Sequence, residues 1–126
     1  MAPAITWFHI PASDIARAKT FYETICGFTL EKMESPPEMQ MWGFPADWRG
    51  GEIGGALVAG EGAVPSATGT AVFLNGNPDL QVVLDRVEGA GGKILMPKTA
   101  IGMEGAGHFA MITDTEGNTV GLHSQS

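Results

Sequence analysis

Residues Ile5–Phe28 read ITWFHIPASDIARAKTFYETICGF, a strand, a helix and the opening of a second strand in one run. Ile5-Thr6-Trp7-Phe8-His9 is β-branched and aromatic, the composition of a pleated, half-buried surface. Pro11 stops that strand, because a proline has no amide to give to a ladder. Ser13 stands where an N-cap is needed, and Asp14 falls in the first turn, where the helix dipole favours negative charge. Ile15, Ala18, Tyr22 and Ile25 then recur at helical spacing, so one face of Asp14–Cys26 is apolar. Gly27 closes the helix and Phe28-Thr29-Leu30 starts the next strand.

The same order returns further along. Thr70–Leu74 (TAVFL) reads as a strand, and Asn75-Gly76-Asn77-Pro78 as a turn with capping residues. Leu80, Val83, Leu84 and Val87 mark a second helix face, Gly91-Gly92 ends it, and Lys93–Met96 is a strand. Ile15 and Leu80 lie 65 positions apart, as do Gly27 and Gly92. The strand starts Trp7 and Thr70 lie 63 apart, a two-residue difference absorbed by the connecting turn. After the first helix come strands over Phe28–Met33, Met39–Phe44 and Glu52–Val58. After the second come Lys93–Met96, His108–Thr113 and Thr119–His123, the last two joined by the turn Asp114–Asn118. The expected architecture is one α+β domain of two βαβββ modules, about residues 4–59 and 70–126, joined by a polar, glycine- and proline-interrupted linker over 60–69.

Composition narrows the function. The chain has 126 residues, 44% of them apolar, enough for one shared core. A formal net charge of −7 with no basic run argues against nucleic acid and anionic membrane surfaces. No apolar stretch approaches the ~20 residues of a membrane span. Cys26 is the single cysteine, so no intrachain disulfide forms, which fits a reducing, cytoplasmic setting. At the end of an amphipathic helix Cys26 reads as a small apolar filler. The 18 glycines and eight prolines fall between strand-like runs and read as turns.

Two motifs are more specific. The first is Phe8, Pro11, Asp14, Arg17, Ala18, Phe21, Tyr22, Gly27 and Phe28; the second is Asp114, Glu116, Gly117, Asn118, Gly121, Leu122 and His123. Together, over nearly the whole chain, they resemble the vicinal oxygen chelate superfamily: glyoxalase I, the bleomycin and fosfomycin resistance proteins and the extradiol dioxygenases. The resemblance implies that each module curls its sheet into half a barrel and that two half-barrels enclose a cavity, commonly across a homodimer interface. It also implies a divalent metal held by His and Glu from the first and fourth strand of each module. Here those positions fall on Trp7, on Thr70, on Gly121, and on Ala56 or Gly54, with Glu52 in an earlier register. Trp and Gly cannot coordinate a metal. No metal, no cofactor and no catalytic residue carry over.

Strand alternation suggests what lines the cavity instead. With Phe8 and Ile10 toward the helix, Ile5, Trp7 and His9 face the hollow. With Ala71 and Phe73 toward their helix, Thr70, Val72 and Leu74 face it. Thr119, Gly121 and His123 face it from the last strand, and Glu52 shares parity with Gly54, Ala56 and Val58. The expected ligand pocket is thus Trp7, His9, Glu52, Thr70, Val72, Gly121 and His123, suited to a small, partly aromatic or apolar organic molecule. Two other functions fit the same residues. One is a lyase, isomerase or dioxygenase with a metal relocated to His9, His123 and Glu52, or with acid–base chemistry on His9 or His123. The other is a structural module whose half-barrel only dimerises. His108 reads as an exposed polar residue, and Met33, Met39, Met41, Met96, Met103 and Met111 as core or a deformable interface. Asp114–Asn118 reads as turn chemistry.

Overall fold

The structure is a computed structural model and describes residues 3–126. Its elements run β1 (Trp7–Pro11), α1 (Ile15–Cys26), β2 (Glu31–Met33), β3 (Met39–Gly43), a 3₁₀ turn (Trp48–Gly50), β4 (Gly54–Gly60), β5 (Phe73–Asn75), α2 (Leu80–Val87), β6 (Lys93–Ala100), β7 (His108–Thr113) and β8 (Thr119–Ser124). They form two four-stranded sheets of the same topology, β1-β4-β3-β2 and β5-β8-β7-β6. In each, the first strand pairs in parallel with the last, and the other pairs are antiparallel. The fold is α+β, a βαβββ unit made twice.

Both helices bury the face their spacing marks. In α1 Ala18, Phe21, Tyr22 and Ile25 are buried; in α2 Leu80, Val83, Leu84 and Val87 are. The helices pack on one side of the sheets, and a single core runs through both units, from Ile10, Phe44 and Leu57 to Ala110, Ile112 and Leu122. Gly27 caps α1 in the left-handed region at φ 74°, its amide donating to the Glu23 carbonyl. The N-cap is Asp14, not Ser13: the Asp14 carboxylate accepts the Arg17 amide. The Ser13 amide donates instead to Glu116, 103 residues away.

Strand limits shift by a few residues for identifiable reasons. β1 runs to Pro11, which is tolerated because β1 is an edge strand and no ladder bond is lost on its open side. β4 begins at Gly54, because Glu52 is used in the turn before it.

The β7–β8 turn is more than local turn chemistry: it clasps the other unit. Asp114, 3% exposed, accepts from the Tyr22 hydroxyl at 2.6 Å, from the amides of Glu116 and Asn118, and from the Asn118 side-chain amide. Asn118 also donates to the Pro11 carbonyl and accepts from the Ser66 amide. Glu116, whose side chain has no exposed surface, accepts the amides of Ser13 and Asp14 and two guanidinium bonds from Arg17. Amides at the start of a helix have no partner within it, and a carboxylate there is favoured by the dipole. The second unit thereby adds a carboxylate of its own at the start of the first unit's helix, beside the Asp14 N-cap.

Candidate functional site

The open edges of β1 and β5 flank a cleft of about 1110 Å³. Trp7 and His9 of β1 and Phe73 of β5 line it, with Phe28 and Phe44 toward the helix layer and Glu52 and Ile53 at one rim. Trp7 meets His9 edge-on at 6.4 Å between ring centroids and Trp48 edge-on at 5.8 Å. Trp48 is raised from the 3₁₀ turn, where the Asp47 carboxylate accepts the Gly50 amide and Gly51 adopts φ 104°. Arg49 lies over the Trp48 ring, 4.5 Å from its centroid.

At the paired registers of the two sheets, a ring lies over a glycine. Trp7 is opposite Gly54, where a Cβ would come 2.7 Å from its ring. Phe73 is opposite Gly121, where a Cβ would come 2.3 Å from its ring. These are equivalent positions of the duplicated unit, on the faces turned away from the helices. Indole, phenyl and glycine offer no donor for a divalent metal, so the family's metal does not fit these pairs. Among the described residues no three His, Cys, Asp or Glu side chains come together to hold an ion.

The sequence-derived pocket is partly rearranged. Trp7, His9, Glu52, Thr70 and Val72 all border the cleft. Glu52, however, precedes β4, and its Oε1 accepts the Asp47 amide at 2.6 Å. The alternation expected on the fifth strand is reversed. Leu74 is in the core, Val72 packs against that core, and Phe73, 51% exposed, faces the hollow. The reason is that Ala71, Val72, Phe73 and Leu74 are all apolar, so period-2 patterning cannot choose a face; pairing with Gly121 does. Thr70 precedes the strand and is exposed, and the residue opposite Gly121 is Phe73.

Gly121 and His123 do not border the cleft. Gly121 is buried beneath Phe73, and His123 donates from Nε2 to the Ala106 carbonyl at 2.7 Å. His9, His123 and Glu52 are therefore not brought together. His108 is half-buried, not exposed, and its Nδ1 is enclosed without a hydrogen-bond partner. None of the six methionines is in the core; by strand pairing Met33, Met41, Met96 and Met111 share the helix-free faces with Trp7 and Phe73.

One cleft residue was not legible beforehand. Phe73 was hidden by the ambiguous strand. Trp48 meets Trp7 without bordering the cleft, and Asp47 before it and Gly50-Gly51 after it spell the tight capped turn that carries it. Cys26 borders the cleft too, and burial pushes its thiol up to about 12, with Arg86 pulling weakly the other way. The thiol is thus protonated at neutral pH and unreactive. Native protein should react with a thiol-specific disulfide reagent at least ~100-fold more slowly than guanidinium-unfolded protein. Comparable rates, followed by absorbance, would show that the thiol is not enclosed.

A family model described as Glyoxalase/Bleomycin resistance protein/Dioxygenase superfamily matches residues 4–122. Among solved structures, the chain is similar to a glyoxalase/bleomycin resistance protein from a Streptomyces species, at TM-score 0.69 and 24% identity over 96% of this chain and 100% of that one. It is similar to a genomically encoded fosfomycin resistance protein, FosX, from Listeria monocytogenes, at TM-score 0.66 and 12% identity over 100% and 94%. It also matches a glyoxalase I mutant from Zea mays at TM-score 0.66 and 20% identity, over 95% of this chain and 45% of that one. At such identities these likenesses establish the fold alone. A search of curated proteins found no match.

Proposed function

We propose a binding role from one premise: this chain belongs to the glyoxalase/bleomycin resistance protein/dioxygenase superfamily. In our reading it binds a small organic molecule in the cleft between β1 and β5 and does so without the family's metal. The observation that carries this is the pair of rings over glycines, Trp7 on Gly54 and Phe73 on Gly121, beside an aromatic-walled cleft. Side chains that would ligate an ion are replaced by surfaces that stack against a flat or apolar ligand. A homodimer suits the same faces, since Phe73 is 51%, Met96 40% and Trp48 40% exposed, and a second copy would cover them. A reducing compartment, the cytoplasm, suits the single free thiol.

The test has two arms. Elemental analysis of protein purified without added metal should find well under one transition-metal ion per chain. A thermal-shift screen of small aromatic compounds should raise the melting temperature with at least one of them, because a ligand that binds only the folded state stabilises it. Trp7→Ala should abolish that shift. A stoichiometric tightly held ion, or a shift untouched by Trp7→Ala, would overturn this reading; sedimentation velocity checks the dimer.

A further inference from the structure

The charges around the cleft bear on what occupies it. We infer that the occupant is an organic cation, an amine or quaternary ammonium carried on a flat apolar body. This rests on the binding role proposed above and adds the ligand's charge to it.

Three observations converge. Among the described residues Glu52 is the only Asp, Glu, Lys or Arg bordering the cleft. Its Oε1 is taken by the Asp47 amide, and among the described residues Oε2 has no hydrogen-bond donor, which leaves an acceptor carrying negative charge at the rim. The other ionisable side chains there, among the described residues, are the His9 imidazole and the Cys26 thiol, the latter held neutral by burial. The lining includes the rings of Trp7, Phe28, Phe44 and Phe73, of which Phe73 is half-exposed, and a cation over the face of an aromatic ring is attracted by its quadrupole. This protein already holds cations that way, with Arg49 over Trp48 and the Lys19 ammonium 4.8 Å from the centre of Trp42.

The whole-chain charge acts in the same direction. At −7 the molecule raises the local concentration of cations and repels anions. A carboxylate or phosphonate ligand would meet Glu52 with no lysine or arginine among the described wall residues to receive it. A neutral ligand would gain the aromatic contact and nothing from Glu52.

Three probes with one ring system separate these cases: 2-naphthylmethylammonium, 2-naphthalenemethanol and 2-naphthoate, titrated calorimetrically. The ammonium should bind about tenfold more tightly than the alcohol, and the carboxylate most weakly. Glu52→Gln keeps an oxygen for the Asp47 amide, so it should bring the ammonium to about the affinity of the alcohol while leaving the alcohol unchanged. Raising ionic strength should weaken the ammonium alone. If the Glu52→Gln protein does not fold, the salt series on the unsubstituted protein decides, and an ammonium preference indifferent to salt overturns the inference. Equal binding of all three probes, tighter binding of the carboxylate, or a preference that survives Glu52→Gln also overturns it, while the cleft-binding reading stands. Failure of all three to bind removes the cleft-binding reading itself, and this inference with it.

Discussion

Asp114→Ala should destabilise the protein by about 4 kcal/mol, lowering the melting temperature by about 15 °C in a chain of this size. The carboxylate is 3% exposed and accepts four hydrogen bonds. Its loss leaves the Tyr22 hydroxyl, on a residue with no exposed surface, without an acceptor, and frees Asn118 from one partner. Leaving a buried donor unsatisfied costs more than the hydrogen bond was worth, which is why truncation is expected to exceed the removal of its partner. Tyr22→Phe, which deletes the donor and keeps the packing, should cost only about 1 kcal/mol. Urea denaturation of the two variants measures both. An Asp114→Ala loss no larger than that of Tyr22→Phe would show that the turn is not a clasp between the units.

Glu116→Gln is the second large effect, and it is read in acid. Burial pushes the Glu116 carboxyl up, but the Arg17 hydrogen bond and the Asp14 amide outweigh it and hold the group below the usual carboxylate range. A group with a depressed folded-state pKa contributes its stability above the unfolded value, about 4.5, and loses it as the pH falls through the folded value. Glu23, held down by the Leu30 amide, and Asp79, held down by Lys98, act in the same direction. The protein should therefore lose stability steeply below about pH 4.5. Glu116→Gln should cost about 2 kcal/mol at neutral pH and make the acid limb shallower, because glutamine has no proton to take up. Thermal melts across that range check it; parallel acid limbs for the two proteins would remove Glu116 from the account.

Both predictions concern a turn that looks self-contained in the sequence. DTEGN supplies an Asx-type residue and a glycine at φ 94°, which is what a tight hairpin needs. Nothing local says that its glutamate caps a helix about 100 residues earlier. The two motifs that resemble the family, Asp14-Arg17-Tyr22 and Asp114-Glu116-Asn118, turn out to be the two halves of one contact.

What was legible follows from how strongly each signal is tied to the backbone. Helix faces were readable because Ala18, Tyr22 and Ile25, or Leu80, Val83, Leu84 and Val87, repeat against polar neighbours at a period only a helix matches. The orientation of β1 was readable for a similar reason: Phe8 and Ile10 pack on the helix layer while Trp7 and His9 do not. The fifth strand was not, since apolar residues occupy both of its faces. Glu52 was expected in the pocket by parity with Gly54; it borders the cleft, but from the turn before β4, where one of its oxygens accepts the Asp47 amide.

The amino-acid sequence by itself determined the duplicated βαβββ order, the two helix faces and the kinds of side chain available, because these depend on local periodicity and on residues that punctuate it. Only the tertiary structure decided which of those side chains meet. Strand register put Phe73 over Gly121, His123 turned to the Ala106 carbonyl, and the β7–β8 turn docked its Glu116 on the start of α1. Contacts between residues far apart in the chain depend on how two sheets are paired and spaced, and no periodicity within a single strand encodes that distance.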